Sequence, residues 1–319
     1  MSLRGDVDKS FIYIQKKPYL LLVLATLFWG GNFVVARNLL QIVPPFHLSI
    51  MRLGVAFLLF LPFAWSEWKE HKSLILKHWR IIVLFSVTGI AAFNALLYVA
   101  LQSTTSINAS LVNSTAPMLI VILSAIFLKD RLFKLQYLGI VMSFTGVIWV
   151  ISRGSIYWFA NLHFNKGDLL VILAVIFWAI YSILMKKWGE QLPQKATFLT
   201  TLFLGFIILL PFFFWESTQS SFSYQELSLG MWLAVFYIGF FPSVVSFLCW
   251  NYGVISVGPS KASNFLHLIV IFSGLFALFI GETYSLVQFS GAVIIISGVL
   301  IVSNHHLIQR FYNCKSSDI

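Results

Sequence analysis

Residues 19–38 read YLLLVLATLFWGGNFVVARN, and residues 168–187 read DLLVILAVIFWAIYSILMKK. Each stretch is 20 residues long and almost wholly apolar, and a helix needs about 20 such residues to cross the hydrocarbon core of a bilayer. Each also carries a Phe-Trp pair, Phe28-Trp29 and Phe177-Trp178, at a spacing of 149 residues. Length points to membrane helices, and the shared pair points to a duplication.

The rest of the sequence has the same character. Of 319 residues, 59% are hydrophobic and 10% charged, where a soluble domain carries about 45–50% and about 25%. That balance excludes a soluble enzyme, a disordered chain and a nucleic-acid binder, despite a net charge of +10. Apolar runs at 19–38, 45–65, 80–101, 106–128, 134–152, 168–187, 195–215, 230–252, 260–280 and 285–303 predict ten membrane helices. Pro44-Pro45, Arg153-Gly154, Leu192-Pro193 and Gly258-Pro259 punctuate the breaks, and 66–79, 153–167 and 216–229 are the long connections. Transmembrane β-strands alternate apolar and polar residues, whereas these runs are continuously apolar, so a barrel is disfavoured. The run after the charged 18-residue N-terminal tail lacks a small-residue cleavage site, which predicts an uncleaved first span. Cys249, in an apolar run, and Cys314, in the polar C-terminal tail, imply no disulfide framework.

Lysine and arginine favour cytoplasmic loops. With the N-terminus inside, 17 of the 21 basic residues fall at inward-facing segments and helix ends, and three, Arg37, Arg153 and Lys166, fall outside. Arg52 lies within a span. The expectation is a multi-pass protein of the cell membrane with both termini cytoplasmic.

Other landmarks recur at nearly the Phe-Trp spacing. Phe127-Leu128 and Asp130 match Phe279-Ile280 and Glu282 at 152 residues, Gly139 and Gly146 match Gly291 and Gly298 at 152, and Ala109-Ser110 matches Ala262-Ser263 at 153. The expected organisation is a tail at 1–18, one five-helix repeat at 19–152, a second at 168–303, and a tail at 304–319. Because five is odd, the second copy enters the membrane the opposite way up. The expected fold class is therefore an all-α membrane protein with ten transmembrane helices as a 5+5 inverted-topology repeat. Such repeats exchange outward-open and inward-open states around a site near the bilayer midplane. Transport is the expected consequence; duplication kept for packing alone is the alternative.

The same residues resemble the drug/metabolite transporter superfamily, specifically EamA-type ten-helix permeases with two EamA domains. The matching stretches are Leu27-Phe-Trp-Gly-Gly-Asn32, Arg52, Tyr98-Val-Ala-Leu101, Ala116-Pro117 and Phe127-Leu-Lys-Asp-Arg131, echoed more faintly by Phe177-Trp178-Ala179 and Phe279-Ile-Gly-Glu282. The resemblance covers about 20–303. It implies a 5+5 inverted fold with a central cavity, in a family of exporters and exchangers of small metabolites such as amino acids, sugars and nucleotide conjugates. The second repeat departs from the first: Ile269 stands where Pro117 would recur, and no arginine matches Arg52.

A charge at the bilayer centre costs about 2.5–3.5 kcal/mol on insertion scales, so intramembrane polar groups need a reason. The acidic residues lie at span ends, in loops or in tails, which disfavours a carboxylate-driven proton antiporter. Arg52 is the intramembrane cation. It either pairs a substrate carboxylate or phosphate, or snorkels or bonds carbonyls of a neighbouring helix, the structural role being preferred. Ser106, Ser110, Asn113 and Pro117 share one face of the fourth span, the proline freeing a carbonyl, with Ser260, Asn264 and His267 as counterparts in the ninth. These stripes either line a cavity or bridge helices, and their presence in both repeats favours lining. His267 either binds substrate or is a satisfied interior histidine, the latter being the plainer reading. Trp29 with Asn32, Asn94 with Tyr98, and Trp178 with Tyr181 are pairs sharing a face and complete the candidate lining. The paired glycines of the fifth and tenth spans read as close-packing sites. Pro242 is a candidate hinge.

Together these features predict a carrier, by efflux or exchange, for a small polar or amphipathic metabolite, amino-acid-like compounds among the candidates, working by alternating access. The alternative is a channel-like or uptake permease for another class, such as nucleotide-derived compounds. An intramembrane enzyme is disfavoured, since no H-E-x-x-H zinc motif and no mid-span aspartate pair occur. The partners expected are the lipid bilayer and the small-molecule substrate, with no nucleic acid. No cofactor is expected, and no nucleotide-binding loop of the G-x-x-x-x-G-K-[ST] type occurs.

Overall fold

The computed structural model describes residues 17–128, 134–152, 154, 165–257, 262–281 and 285–303. Helix α1 (Pro18–Leu39) begins on a proline, whose missing N–H is no loss in a first helical turn. Helix α2 (Pro45–Lys77) begins the same way. Helix α3 (Trp79–Leu101) contains a π-helical stretch, Ser86–Ala92. Helices α4 (Ser106–Asn113) and α5 (Ala116–Leu128) are followed by α6 (Lys134–Ile151), α7 (Lys166–Trp188) and α8 (Gln194–Gln219). Helix α9 runs Leu229–Phe240, passes through a π-helical stretch Phe241–Val245, and ends as Ser246–Val257. A 3-10 turn, Asn264–His267, leads into α10 (Leu268–Phe279), and α11 is Leu286–Ser303. No strand occurs among the described residues.

Seven helical stretches among the described residues are long and apolar enough to cross a membrane: Pro18–Leu39, Pro45–Lys77, Trp79–Leu101, Ser106–Leu123, Lys166–Gln191, Gln194–Gln219 and Leu229–Val254. The expected fifth, ninth and tenth segments hold shorter apolar helices, Tyr137–Val150, Phe265–Phe279 and Leu286–Gly298.

Two expectations need correction. The 66–79 connection is helical to Lys77, because this stretch holds no Gly or Pro and its Trp68 and Ile75 pack beside Ile82 and Ala196. The fourth span is broken at Ser114-Thr115. A proline ring clashes with the carbonyl four residues earlier, and for Pro117 that residue is Asn113, where α4 ends. Pro117 becomes the second residue of α5 and needs no amide partner there. The Ser114 and Thr115 hydroxyls fill the gap by donating to the Leu111 and Val112 carbonyls at 2.6 and 2.8 Å.

Helices α2 and α8 lie antiparallel, with Phe46 stacked on Phe212, Phe57 beside Phe203 and Phe60 beside Phe198. Each caps the start of the other. The first amides of a helix have no internal acceptor. Glu216 Oε2 accepts from the Phe46 and His47 amides at 2.8 and 2.9 Å, and Glu67 Oε1 accepts from the Lys195 and Ala196 amides at 2.9 and 3.1 Å. The Glu216 end has one further member, His47 Nδ1, 2.9 Å from the same oxygen. Glu67 and Glu216 are 149 residues apart, as are the amides they cap and the internal prolines Pro62 and Pro211. A negative charge at a helix N-terminus also meets the positive end of the helix dipole. Glu67→Gln and Glu216→Gln are each expected to lower unfolding stability by roughly 1–2 kcal/mol. Thermal melts of the purified variants check this, and wild-type melting by both would show that the caps contribute nothing.

Helices α6 and α11 also pack antiparallel, through their glycines. A β-carbon on Gly298 would lie 2.6 Å from the Gly139 carbonyl oxygen, and one on Gly146 would lie 2.7 Å from the Ile295 side chain. Trp149 Nε1 donates to Ser290 Oγ across the pair at 2.9 Å. The close-packing reading of these glycines fits this contact.

Candidate substrate site

The two π-helical stretches bring polar groups to the middle of the bundle. A π turn loosens the normal i→i−4 ladder and frees carbonyls. In α3 the freed groups are used by Asn94, whose Nδ2 donates to the Gly89 and Ile90 carbonyls at 3.3 and 2.8 Å. In α9, Pro242 is the second residue of the stretch; its carbonyl accepts from Trp29 Nε1 at 3.0 Å, and Ser243 Oγ donates to the Ile238 carbonyl at 2.6 Å. The expected hinge residue is therefore fastened to α1.

Arg52 joins these stretches. Its side chain is 2% exposed. Nε donates to Ser243 Oγ, and Nη1 donates to Asn94 Oδ1 at 2.6 Å and to the Tyr98 hydroxyl at 3.1 Å. Tyr98 in turn donates to Asn32 Oδ1 at 3.1 Å. Arg52 thus neither snorkels nor bonds carbonyls of a neighbouring helix: three neutral side chains from α3 and α9 hold it.

Beside this network lies a cavity of about 20 Å³, enough for roughly one water molecule. Trp29, Asn32, Arg52, Asn94, Asn113 and Trp178 all line it, so six of the eleven expected site residues converge there. Phe33, Phe93, Leu97, Leu266 and Ile269 complete the wall. Trp29 and Trp178 meet edge to face with centroids 5.4 Å apart, and Phe93 lies 5.0 Å from Trp178. The walls come from α1 to α4 on one side and from α7, the 3-10 turn and α10 on the other.

The other expected residues fall differently. Tyr98 stands behind the wall as a partner of Arg52. Tyr181 touches Trp178 but lines a separate small pocket, and donates to Asn251 Oδ1 at 3.5 Å. Ser110 returns its hydroxyl to the Ile107 carbonyl at 2.9 Å and is absent from the lining; Ser106 bridges to the Phe33 carbonyl at 3.2 Å. The polar stripe of the fourth span is therefore mostly self-bonded or interhelical, and only Asn113 reaches the cavity. Ser260 and the side chain of Asn264 lie outside the described residues. His267 is buried but not satisfied, for neither ring nitrogen has a partner among the described residues; its neighbours Leu266 and Ile269 line the cavity instead.

Sequence reasoning missed Ser243, Phe93 and Asn251. Pro242 was a signal for Ser243, since a proline inside an apolar run marks a disturbed ladder. The Tyr181–Asn251 bond has a counterpart: Asn32 and Tyr98 stand at the matching positions of α1 and α3 with the residue types exchanged. Nothing in the periodicity of one helix reveals that pairing.

The site offers one fixed cation, neutral amides and aromatic walls. Among the described residues, no group of three His, Cys, Asp or Glu side chains could hold a metal. This inventory suits non-covalent binding.

Residues 16–152 and 165–304 each match the EamA-like transporter family. The uncharacterized transporter YyaM of Bacillus subtilis is 31% identical over 297 residues, covering 93% of this chain and 96% of YyaM. The uncharacterized transporter YetK of the same species is 28% identical, covering 94% of each chain. An uncharacterized transporter of Archaeoglobus fulgidus is 24% identical, covering 91% of this chain and 98% of its own length. A protein known from its crystal structure superposes with a TM-score of 0.64 at 18% identity, over 93% of this chain and 99% of that one, a likeness of fold.

Proposed function

This chain belongs to the EamA-like transporter family, and on that premise we propose that it is an alternating-access carrier whose central cavity binds a small polar or amphipathic metabolite. The cargo is moved by efflux or exchange and leaves chemically unchanged. The observation that carries this reading is the small cavity at Arg52, walled by helices of both halves and too narrow for a metabolite as it stands. A site closed around its polar groups suits a carrier between its open states and is unlike an open channel. The reading includes a 5+5 inverted arrangement in the cell membrane with both termini cytoplasmic. The 149-residue recurrence of the α2 and α8 caps, the exchanged Asn–Tyr bonds and the positive-inside bias support it.

Ile42 and Gln191 are both exposed and 149 residues apart, so the inverted arrangement puts them on opposite sides. In a variant lacking Cys249 and Cys314, a cysteine at position 42 should react with an impermeant maleimide on intact cells, and one at position 191 only after permeabilisation. Reaction of both from one side would refute the antiparallel halves. Counterflow in proteoliposomes addresses the mechanism: a carrier gives saturable flux accelerated by substrate on the far side, and a channel gives neither.

A further inference from the structure

We propose that the central cavity takes a net-monoanionic organic acid, with its carboxylate on Arg52, a neutral hydrogen-bond donor on Asn113, and a flat apolar body among Trp29, Trp178 and Phe93. This rests on the reading of the cavity as the substrate site and specifies its ligand.

The first ground is charge. Arg52 is almost fully buried, and its Nε and Nη1 are used by neutral acceptors, while Nη2 has no hydrogen-bond partner among the described residues. No carboxylate lines the cavity among the described residues. Among the described residues, the guanidinium is held by neutral dipoles and meets no opposing charge. In a low-dielectric interior, a nearby unit charge of opposite sign interacts far more strongly than in water, and guanidinium–carboxylate hydrogen bonds are among the strong ones.

The second ground is the number of charges. Arg52 is the single Lys or Arg in the lining. A phosphate dianion would leave one negative charge uncompensated among aromatic rings. A zwitterion would bring an ammonium with no carboxylate to meet it and leave the Arg52 charge unbalanced. A ligand of net charge −1 closes the balance.

The third ground is Asn113. Its side chain is 4% exposed, its amide oxygen is buried without a partner among the described residues, and it lines this same cavity. A buried acceptor left unpaired is unfavourable. A ligand hydroxyl would satisfy it, and the edge-to-face Trp29–Trp178 pair and the tilted Phe93 ring in the same lining suit a planar body.

The test is a matched ligand set, with binding to the purified full-length protein read by calorimetry and thermal shift. The probes are 4-hydroxyphenylacetate and mandelate as hydroxy acids, phenylacetate, 4-hydroxyphenylacetamide as the neutral isostere, tyramine as the cation, tyrosine as the zwitterion and 4-hydroxyphenyl phosphate as the dianion. At least one hydroxy acid should bind ten-fold or more tighter than the amide, amine, zwitterion and dianion, and several-fold tighter than phenylacetate. Arg52→Gln should remove the preference for acid over amide, with Arg52→Lys restoring part of it, and Asn113→Leu should make hydroxy acid and phenylacetate equal. The proposal is overturned if the amide or tyrosine binds as tightly as the acids, if Arg52→Gln keeps the preference, or if no acid binds. In that last case saturable counterflow of another compound would leave the carrier reading standing. Absence of saturable flux for every compound tried would remove the carrier reading itself.

Discussion

Arg52→Met is expected to leave the fold nearly as stable as wild type while binding of the cargo weakens about 10- to 150-fold. The reason lies in what each partner loses. Ser243 keeps its donation to the Ile238 carbonyl and Tyr98 keeps its donation to Asn32. Both hydroxyls lose Arg52 as a donor but keep these bonds, whereas Asn94 Oδ1 is left with no partner, and an orphaned buried acceptor costs about 1–3 kcal/mol. Against this, removal of a buried cation that has no carboxylate partner among the described residues relieves a desolvation penalty of several kcal/mol, and exchange of buried charges for apolar side chains is often neutral or stabilising. The two effects nearly cancel. Binding has no such offset, because a hydrogen bond to a charged group contributes about 1.5–3 kcal/mol, which is the stated 10- to 150-fold. A melt of the variant in detergent beside counterflow in vesicles separates the two. A variant that unfolds readily would mark Arg52 as a structural residue, and one that transports normally would remove it from the site.

Gly298→Leu is expected to be strongly destabilising. The position faces backbone: a β-carbon there would sit 2.6 Å from both the Gly139 carbonyl oxygen and the Ser143 amide nitrogen of the opposing helix. A flexible side chain could swing aside, but a helix backbone moves only if the whole of α6 withdraws from α11. Overpacking of a tight interface costs about 1–3 kcal/mol and occasionally more. Here the separation also threatens the Trp149–Ser290 bond and the second glycine contact at Gly146. A loss of about 3 kcal/mol or more follows, visible as a large drop in melting temperature or as loss of folded protein. Gly54→Ala is the control, since the nearest atom to its β-carbon would be a Phe206 ring carbon at 3.9 Å, an ordinary contact. If Gly298→Leu melted like Gly54→Ala, the tight α6–α11 seam would be refuted.

How much of this was legible in the sequence depends on whether a feature is local to one helix. The positions of the apolar runs were legible, because the periodicity and length of one segment decide them. So was the shared face of Trp29 with Asn32, since three residues along a helix always point the same way. What a face meets is a tertiary matter. Ser110 shares the stripe of Asn113, yet its hydroxyl is spent on its own helix, and Tyr181 shares a face with Trp178 yet falls into a neighbouring pocket. The 66–77 extension of α2 was misread because it is polar, although nothing in it breaks a helix. The break after Asn113 was not expected, because Pro117 was read as freeing a carbonyl within one continuous span when its ring dictates a stop four residues earlier. Pro62 with Pro211 and Glu67 with Glu216, both at 149 residues, were available in the sequence as further marks of duplication. Only the structure shows that the glutamates serve each other's helix.

That exchange constrains how α2 and α8 can part. Pulling them apart at either end strips a carboxylate from two main-chain amides, and the same two bonds resist at the opposite end. Fastenings of equal kind at both ends build no ratchet into this pair of helices. Parity is broken by side chains rather than by the caps: His47 meets Glu216 and Ser217 at one end, and Trp68 Nε1 donates to Thr200 Oγ1 at the other, so any rectification that α2 and α8 supply lies in these side chains.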